Sequence, residues 1–394
     1  MYCSRQLFNL IIFEVLNFET MPIYLDNAAT TQVRDKVADK MAAVLKSTYG
    51  NPSSTHSVGR SSKSILEQCR KRIASHFNIK SSEIVFTAGG TEADNLVLRS
   101  AVCHLGVKHI ISSRIEHHAV GHTITALEDV EKIKVSYVRV LENGVIDLNH
   151  LEELLTDSEE KTLVSLMHIN NEIGTILDLK FVADLCKKHQ ALFHSDTVQS
   201  IGHYPLDLAE IPIDFLAASA HKFHGPKGIG FAFVRSGLGL QSIITGGAQE
   251  RGCRAGTESL HDIVGLDESL ALAYEHLNSE KKYISELKSH FIQRLETEIP
   301  GIKFNGTSAD ASKSTYTLVN VCLPVSVEKA PLFLFQLDLK GIACSKGSAC
   351  QSGSDKGSHV LREILSEEDL QKPSIRFSFS SFNTKEELDE VIDT

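Results

Sequence analysis

The stretch DFLAASAHKFHGPKGIG, residues 214–230, decides how the rest of the chain is read. It opens as a short apolar strand, Asp214 to Ala218, and breaks at Ser219-Ala220-His221-Lys222. It then passes through His224-Gly225-Pro226-Lys227-Gly228 into a second apolar run, Ile229 to Val234. A lysine held between two strands, behind a serine and a histidine, suits an amine that condenses with an aldehyde. Such an amine must be fixed, partly desolvated and shifted toward its neutral form. Ser219 and His221 could bind an anionic group beside it. The plainer alternative is a strand–turn–strand with a solvated surface lysine.

The stretch just upstream, Ala191-Leu-Phe-His-Ser-Asp196-Thr-Val-Gln199-Ser, reads as a strand ending in an acid. Taken alone, Asp196 is a helix N-cap, a place short polar residues favour. Paired with Lys222 one strand further on, it reads differently. Pyridoxal phosphate needs an acid that keeps its pyridine nitrogen protonated and a lysine that holds its aldehyde.

Further upstream, strands and helices alternate. Glu83 to Thr87 is a strand, Ala88-Gly89-Gly90 a tight turn and Thr91 a helix start. Glycines before a helix N-terminus make an anion seat, through free N–H groups and the helix dipole; an ordinary βα turn with a threonine N-cap explains the same residues. Strands follow at His109–Ser113, Ile133–Val140 and Leu163–His168, with helices at Glu116–Leu127, Leu148–Leu155 and Leu179–His189. Repeated βα units imply a mainly parallel sheet covered by helices, with ligands beyond the carboxyl ends of the strands. Gly90, Glu116-His117, Asn170-Asn171, Asp196 and Ser219–Lys222 stand at those ends and should converge on one crevice. A lone His117 is commonly a satisfied polar residue; beside a pyridine ring an imidazole can stack and move protons near neutral pH. Asn171 is either a turn residue or a neutral donor to a ring oxygen or substrate.

Composition sets bounds. The chain has 394 residues, 42% hydrophobic and 23% charged, which suits a globular enzyme with room for two cores. A net charge of −10 argues against nucleic acid as a partner. Eight cysteines without a C-x-x-C pair fit a reducing cytoplasm with free thiols. Leu7 to Phe18 is apolar but interrupted by Asn9, Glu14 and Asn17, too short and broken to span a membrane. A more convincing strand opens after Met21, so residues 1–20 are expected to be an extra, disordered segment.

Beyond Val234, Thr245 to Thr257 holds four glycines and two arginines, suited to wrapping an anion or a neighbouring subunit, or simply to a flexible polar loop. Ile263 to about Ile299 is strongly helical and should lead to a second domain in which strands and helices alternate again. There, Cys350 sits among glycines, serines and lysines with almost no apolar neighbours. It should be exposed and mobile, with Lys346 or Lys356 favouring the thiolate; buried free cysteine is the plainer habit. Arg376 interrupts an apolar strand and needs a partner, either a substrate carboxylate or a structural ion pair.

Taken together, these pieces resemble the cysteine desulfurases, the NifS/IscS-like group of class V aminotransferase-fold enzymes. The matching motifs are Tyr24-Leu-Asp-Asn-Ala-Ala-Thr-Thr31, Gly50-Asn-Pro-Ser-Ser54, Phe86-Thr-Ala-Gly-Gly-Thr-Glu-Ala-Asp-Asn95, Glu116-His117, Asn170-Asn-Glu-Ile-Gly174 and His194-Ser-Asp-Thr-Val-Gln-Ser200. Further on come Ser219-Ala-His-Lys-Phe-His-Gly-Pro-Lys-Gly228, Arg251-Gly-Cys-Arg-Ala-Gly-Thr-Glu258, Gly347-Ser-Ala-Cys350 and Ser374-Ile-Arg-Phe-Ser378. The resemblance covers about Met21 to the end. It implies an α/β protein of the pyridoxal phosphate-dependent fold type I, with a large domain on a mainly parallel seven-stranded sheet and a smaller α+β C-terminal domain. The large domain would span 34–275 and the small one 21–33 with 276–394.

The resemblance also implies roles. Lys222 would hold pyridoxal 5'-phosphate, Asp196 pair its ring nitrogen and His117 stack on the ring. Gln199 and Asn171 would reach the ring oxygen or substrate. Gly90, Thr91, Ser219 and His221 would hold the phosphate, with Thr257 supplied by the other subunit of a homodimer. Arg376 would take the carboxylate of L-cysteine. Cys350 would attack its sulfur, releasing L-alanine and leaving a persulfide for a sulfur-acceptor or iron–sulfur scaffold protein. No resident metal is implied, although Cys350 could transiently ligate a nascent iron–sulfur cluster. Selenocysteine lyase, cysteine sulfinate desulfinase and a non-enzymatic sulfur-carrier scaffold are the alternatives. The sequence departs from the group's pattern at residues 1–20, at Lys346 and Asp355-Lys-Gly357 around the cysteine, and at Thr394, where the closing helix is expected to be cut short.

Overall fold

The computed structural model describes residues 22–326, 328, 330–346 and 357–394. The expected disordered segment 1–20 and the cysteine loop with Cys350 lie outside the described residues. Twelve strands are described: β1 Ile23–Tyr24, β2 Ile84–Thr87, β3 His109–Ser112, β4 Lys134–Tyr137, β5 Thr162–Ser165, β6 Leu192–Asp196, β7 Phe215–Ser219, β8 Gly230–Val234, β9 Lys303–Phe304, β10 Leu318–Cys322, β11 Ile342–Ala343 and β12 Ser374–Ser378.

Seven of them form one sheet in the order β2-β8-β7-β6-β5-β3-β4. All its pairings are parallel except those of β8, which runs antiparallel to both β2 and β7. The stretch 214–230 explains that exception. Only ten residues, 220–229, separate β7 from β8, fewer than a crossover between parallel neighbours needs.

The period-2 pattern of the strands divides their side chains between two cores. Leu216, Ala218, Phe231 and Phe233 face one cluster, with Phe193 and Val164. Phe215, Ala217, Ala232 and Val234 face the other, with Ile110 and Leu163. Both faces are therefore buried, as a helix-covered parallel sheet requires. Helix Gly90–Cys103 lies on the second face, and helices Ser57–Ser75 and Leu260–Glu275 on the first.

A separate core forms around the antiparallel sheet β12-β10-β9 and the parallel pair β1-β11. Val319, Val321, Ile375 and Phe377 meet Phe291, Ile23 and Leu25 there. Arg376 lies between Ile375 and Phe377, so alternation turns it to the opposite face. The long helical stretch after residue 260 is two helices, Leu260–Glu275 and Leu277–Glu298, broken at His276, whose backbone (φ −98°, ψ 3°) leaves helical geometry. The first belongs to the core of the seven-stranded sheet, the second to that of the smaller sheet.

The glycine-rich segment after Arg235 is fastened by a buried ion pair. Arg70, 2% exposed, donates to Glu250 through Nη1 and Nη2 at 2.7 Å each, and Nη1 also reaches the Ile84 carbonyl. The Phe86 N–H donates to the same carboxylate at 2.8 Å. Glu250 and Arg251 both take positive φ, 45° and 57°, a strained state for residues with a side chain. The hydrogen bonds from Arg70 and Phe86 hold that turn in place. Glu250→Ala would leave the buried guanidinium with only the more exposed Glu67, 3.2 Å from its Nε, as a charged partner, so it should cost about 3 kcal/mol. Replacing both partners, Arg70→Met with Glu250→Leu, should cost less. Urea unfolding of the two variants checks the order.

Candidate active site

The carboxyl ends of β2, β6 and β7 open on a cavity of about 730 Å³, the size of a cofactor site. Asp196 ends β6, and Lys222 closes the single 3-10 turn Ala220–Lys222 that follows β7. The two strands are adjacent, with Asp196 opposite Ala217.

The turn carrying Lys222 is held from above by the chain's own early segment. Thr31 N–H and Thr31 Oγ1 both donate to the His221 carbonyl at 2.9 Å, and the His224 N–H donates to Thr31 Oγ1 at 2.7 Å. Lys222 Nζ donates to the carbonyls of Ala28 (2.6 Å) and Ala29 (2.9 Å). The small residues at 28–31 thus permit the close backbone approach that their sequence suggests.

Of the residues singled out from the sequence, Gly90, Thr91, His117, Asn171, Asp196, Gln199, Ser219, His221, Lys222 and Arg376 all line this cavity. Helix Gly90–Cys103 starts there, following Gly89, whose φ of 150° suits glycine. Gln199 Nε2 donates to the Ala28 carbonyl at 2.9 Å. Thr257 is exposed and stands outside the cavity of its own chain. Cys350 lies outside the described residues.

Two residues expected in the crevice stand behind it. Asn170 is absorbed by the following turn: its Oδ1 accepts from the N–H groups of Glu172 and Ile173, and its Nδ2 donates to the Ile115 carbonyl. Glu116, 3% exposed, accepts through Oε1 from Ser113 Oγ (2.7 Å) and the Met167 N–H (3.1 Å).

The electrostatics are those of buried acids. Burial pushes the Asp196 carboxyl up, while His117, the Val198 N–H and Lys222 pull it back. Asp94, also lining the cavity and 1% exposed, is raised by burial and then by the charges of Asp196 and Glu116. Its Oδ1 stands 3.3 Å from His194 Nε2, and burial pushes that imidazole down to about 3. His117 is lowered, chiefly by burial against the opposing pull of Asp196. Its Nδ1 accepts the Ala119 N–H at 3.1 Å, which leaves the neutral ring's proton on Nε2. His221 is pushed down to about 4 by burial and by Lys222 and Lys227.

Arg376, 1% exposed, makes the structural ion pair weighed from the sequence and also lines the cavity. Nη2 donates to Asp26 Oδ1 at 2.8 Å and Nη1 to the Asn171 carbonyl at 2.6 Å, while buried Nε has no hydrogen-bond partner among the described residues. Sequence reasoning missed Asp94, Thr30 and Lys227. Lys227 carried a signal, since it sits between Pro226 and Gly228 in the turn already singled out.

The donor set fits pyridoxal phosphate. An amine, a buried acid one strand away, a neutral imidazole, and a helix N-terminus with Ser219 beside it share one cavity. The mostly parallel sheet, helix-covered and carrying lysine and acid at adjacent strand ends, places the molecule among α/β enzymes of fold type I. The chain belongs to the aminotransferase class-V family, whose profile matches residues 23–391. It is 40% identical over 374 residues to a cysteine desulfurase IscS of Clostridium botulinum (strain Kyoto / Type A2), covering 94% of this chain and 92% of that one. A solved NifS-like protein superposes with a TM-score of 0.85 at 33% identity, covering 95% and 98%. SspA, solved in complex with cysteine, gives 0.79 at 30% identity, covering 92% and 100%. Among the described residues no helix is long and apolar enough to cross a membrane, and no group of three or more potential ligands could hold a metal ion.

The raised acids give a pH dependence of known sign. Burial holds the Glu116 carboxyl at about 8, against an ordinary 4.5, so the folded chain keeps a proton that the unfolded chain has lost. Stability from this group is therefore present below the ordinary value and is lost as pH rises toward 8. Glu116→Gln keeps an acceptor for Ser113 and Met167 and removes the titration. Its thermal midpoint should match wild type near pH 5 and exceed it by a few degrees at pH 8.5 in a differential scan.

Proposed function

We propose that this protein is a pyridoxal 5'-phosphate-dependent cysteine desulfurase. It takes sulfur from L-cysteine, releases L-alanine and leaves a persulfide on Cys350 for an iron–sulfur scaffold or another sulfur acceptor. The observation that carries this is the meeting of Lys222, Asp196, His117 and Arg376 in one cavity, in a chain with desulfurase relatives along almost its whole length.

When bound, pyridoxal phosphate supplies an electron sink conjugated with the substrate's α-carbon. Lys222 would hold its carbonyl carbon, with Nζ placed by the Ala28 and Ala29 carbonyls. Asp196 would face the ring nitrogen. A carboxylate that burial disfavours gains most from a cation beside it, which here would be the protonated ring. His117, neutral with its proton on Nε2, would lie against the ring and pass a proton to or from the substrate. Gln199 and Asn171 stand within the same wall for the ring oxygen or substrate. Gly90, Thr91, Ser219 and His221 would hold the phosphate, with Thr257 of the second subunit completing that site. Arg376, which lines the cavity, would receive the substrate carboxylate.

The sulfur step balances without an external oxidant. The Cys350 thiolate bonds to the substrate sulfur and the carbon–sulfur bond breaks. Its electron pair stays on the substrate carbon, which takes up a proton to become the methyl group of alanine.

The same reading includes a homodimer. The exposed Ile243 and Ile244 precede the glycine-rich segment, and Ile243 lines the cavity mouth. It includes the division into 21–33 with 276–394 and 34–275, supported by the separate core around the smaller sheet. A reducing, cytoplasmic setting is supported by the free thiols of Cys69, Cys103, Cys186, Cys253, Cys322 and Cys344.

Incubation with L-cysteine and with selenocysteine, assaying alanine with sulfide or selenide, tests the reaction. Wild type should release alanine and sulfide in equal amounts once a reductant clears the persulfide. Cys350→Ser should lose sulfide release by at least about a hundredfold while the cofactor's visible absorbance is retained. Borohydride should fix that cofactor to a peptide containing Lys222. Activity on selenocysteine alone would replace the desulfurase reading with a lyase.

Arg376→Lys removes a planar donor from a buried site that lysine cannot imitate. KM for cysteine should rise on the order of tenfold to a hundredfold, with a smaller change in kcat. Steady-state kinetics on the holoenzyme check the split. An unchanged KM would leave Arg376 as the partner of Asp26 only.

A further inference from the structure

Helix Ala330–Leu339, APLFLFQLDL, is apolar almost all round. Its Leu337 enters the core around the smaller sheet. Leu332, Phe335 and Leu339 are 59%, 56% and 70% exposed. Their spacing, i, i+3 and i+7, makes a single apolar stripe along a helix face. Leu339 also borders a groove of about 520 Å³, floored by Phe291, Leu295, Phe333, Leu337 and Val391. A stripe that continues into an apolar groove is a surface that an occupant covers.

The topology points to one occupant. β1 pairs in parallel with β11, Ile23 opposite Ile342, and the Ile23 N–H donates to the Gly341 carbonyl at 2.9 Å. Because the strands are parallel, the chain enters β1 from the Gly341 side, beside Leu339 and Lys340 at the end of helix Ala330–Leu339. Residue 18 is five positions before Ile23, within about 17 Å of chain. A ten-residue helix is about 15 Å long. The chain therefore enters β1 close to Leu339 and Lys340, which border the groove. Such tethering gives a high effective concentration. The sequence of that segment fits the surface: Phe8, Ile11, Ile12 and Val15 recur at i, i+3, i+4 and i+7, the spacing of an amphipathic helix.

We propose that residues 8–18 of the chain's own N-terminal segment cover the Leu332–Phe335–Leu339 stripe and the adjoining groove. The segment is a structural cover for the smaller sheet's core, independent of the reaction proposed above.

Hydrogen exchange on the full chain tests this, with Leu339→Glu and Ile12→Glu as separate variants. Neither residue lines the active cavity, and Leu339 is exposed enough for the charge to leave the fold intact. In wild type, amides of 8–18 should exchange at least tenfold more slowly than unstructured peptide. Each variant should bring them to unstructured rates and, in both, exchange of 330–339 should rise together with dye binding to the bared face. Unprotected amides at 8–18 in wild type would overturn the proposal. So would a Leu339→Glu variant that frees 330–339 with no effect on 8–18. A change in sedimenting mass in that second case would assign the face to another copy of the chain.

Discussion

The hydrogen bonds between residues 26–31 and the turn after β7 fix the geometry on which the rest of the site depends. That short segment bridges two sheets. On one side Thr31 grips the His221 carbonyl and Ala28 and Ala29 receive Lys222 Nζ. On the other, Asn27 Nδ2 donates to the Ser378 carbonyl, the Ala28 N–H donates to Ser378 Oγ, and Asp26 holds Arg376. Lys222 comes from the seven-stranded sheet and Arg376 from the three-stranded one. Their relative position is therefore set by about six residues near the start of the chain. Small side chains are needed there because backbone carbonyls, not side chains, make the contacts to the lysine.

The second constraint is charge. Asp94, Glu116 and Asp196 are buried close enough for each to feel another's charge, and burial raises all three. Three acids in such a space resist ionising together, so protons stay on some of them. His117, the Val198 N–H and Lys222 are the described groups that favour the charged form of Asp196. A cavity of this kind rewards a cation delivered next to Asp196. His194 and His221, pushed down to about 3 and about 4, add no competing positive charge. Hydrogen bonding settles which acids are kept for structure. Glu116 already accepts from Ser113 and Met167, whereas Asp196, which among the described residues accepts the N–H of nearby Val198, lines the open space.

Much of this was legible in the sequence, for a local reason. In a parallel sheet the residue after each strand faces the same edge, so Gly90, His117, Asn171, Asp196 and Ser219 are brought together by period and strand order alone. The antiparallel β8 follows from the short connection, 220–229, before it. The alternation of Ile375, Arg376 and Phe377 marked an arginine turned away from its apolar neighbours. These features depend on short-range pattern, and short-range pattern is what an amino-acid sequence writes out directly.

What the sequence by itself determined was thus the α/β alternation and the placement of Lys222 and Asp196 at adjacent strand ends. Only the tertiary structure decided which acids point into the cavity and which are spent behind it. Asn170 and Asn171 are neighbours of one type, yet one caps a turn and the other faces the opening. Asp94 sits within a helix and becomes part of the cavity because that helix packs on the sheet beneath Asp196. Arg376 keeps Asp26 as a partner across 350 residues of chain, a contact no local spacing encodes. Each of these outcomes depends on the packing of segments distant in sequence, where burial and the field of neighbouring charges are fixed only once the chain has folded.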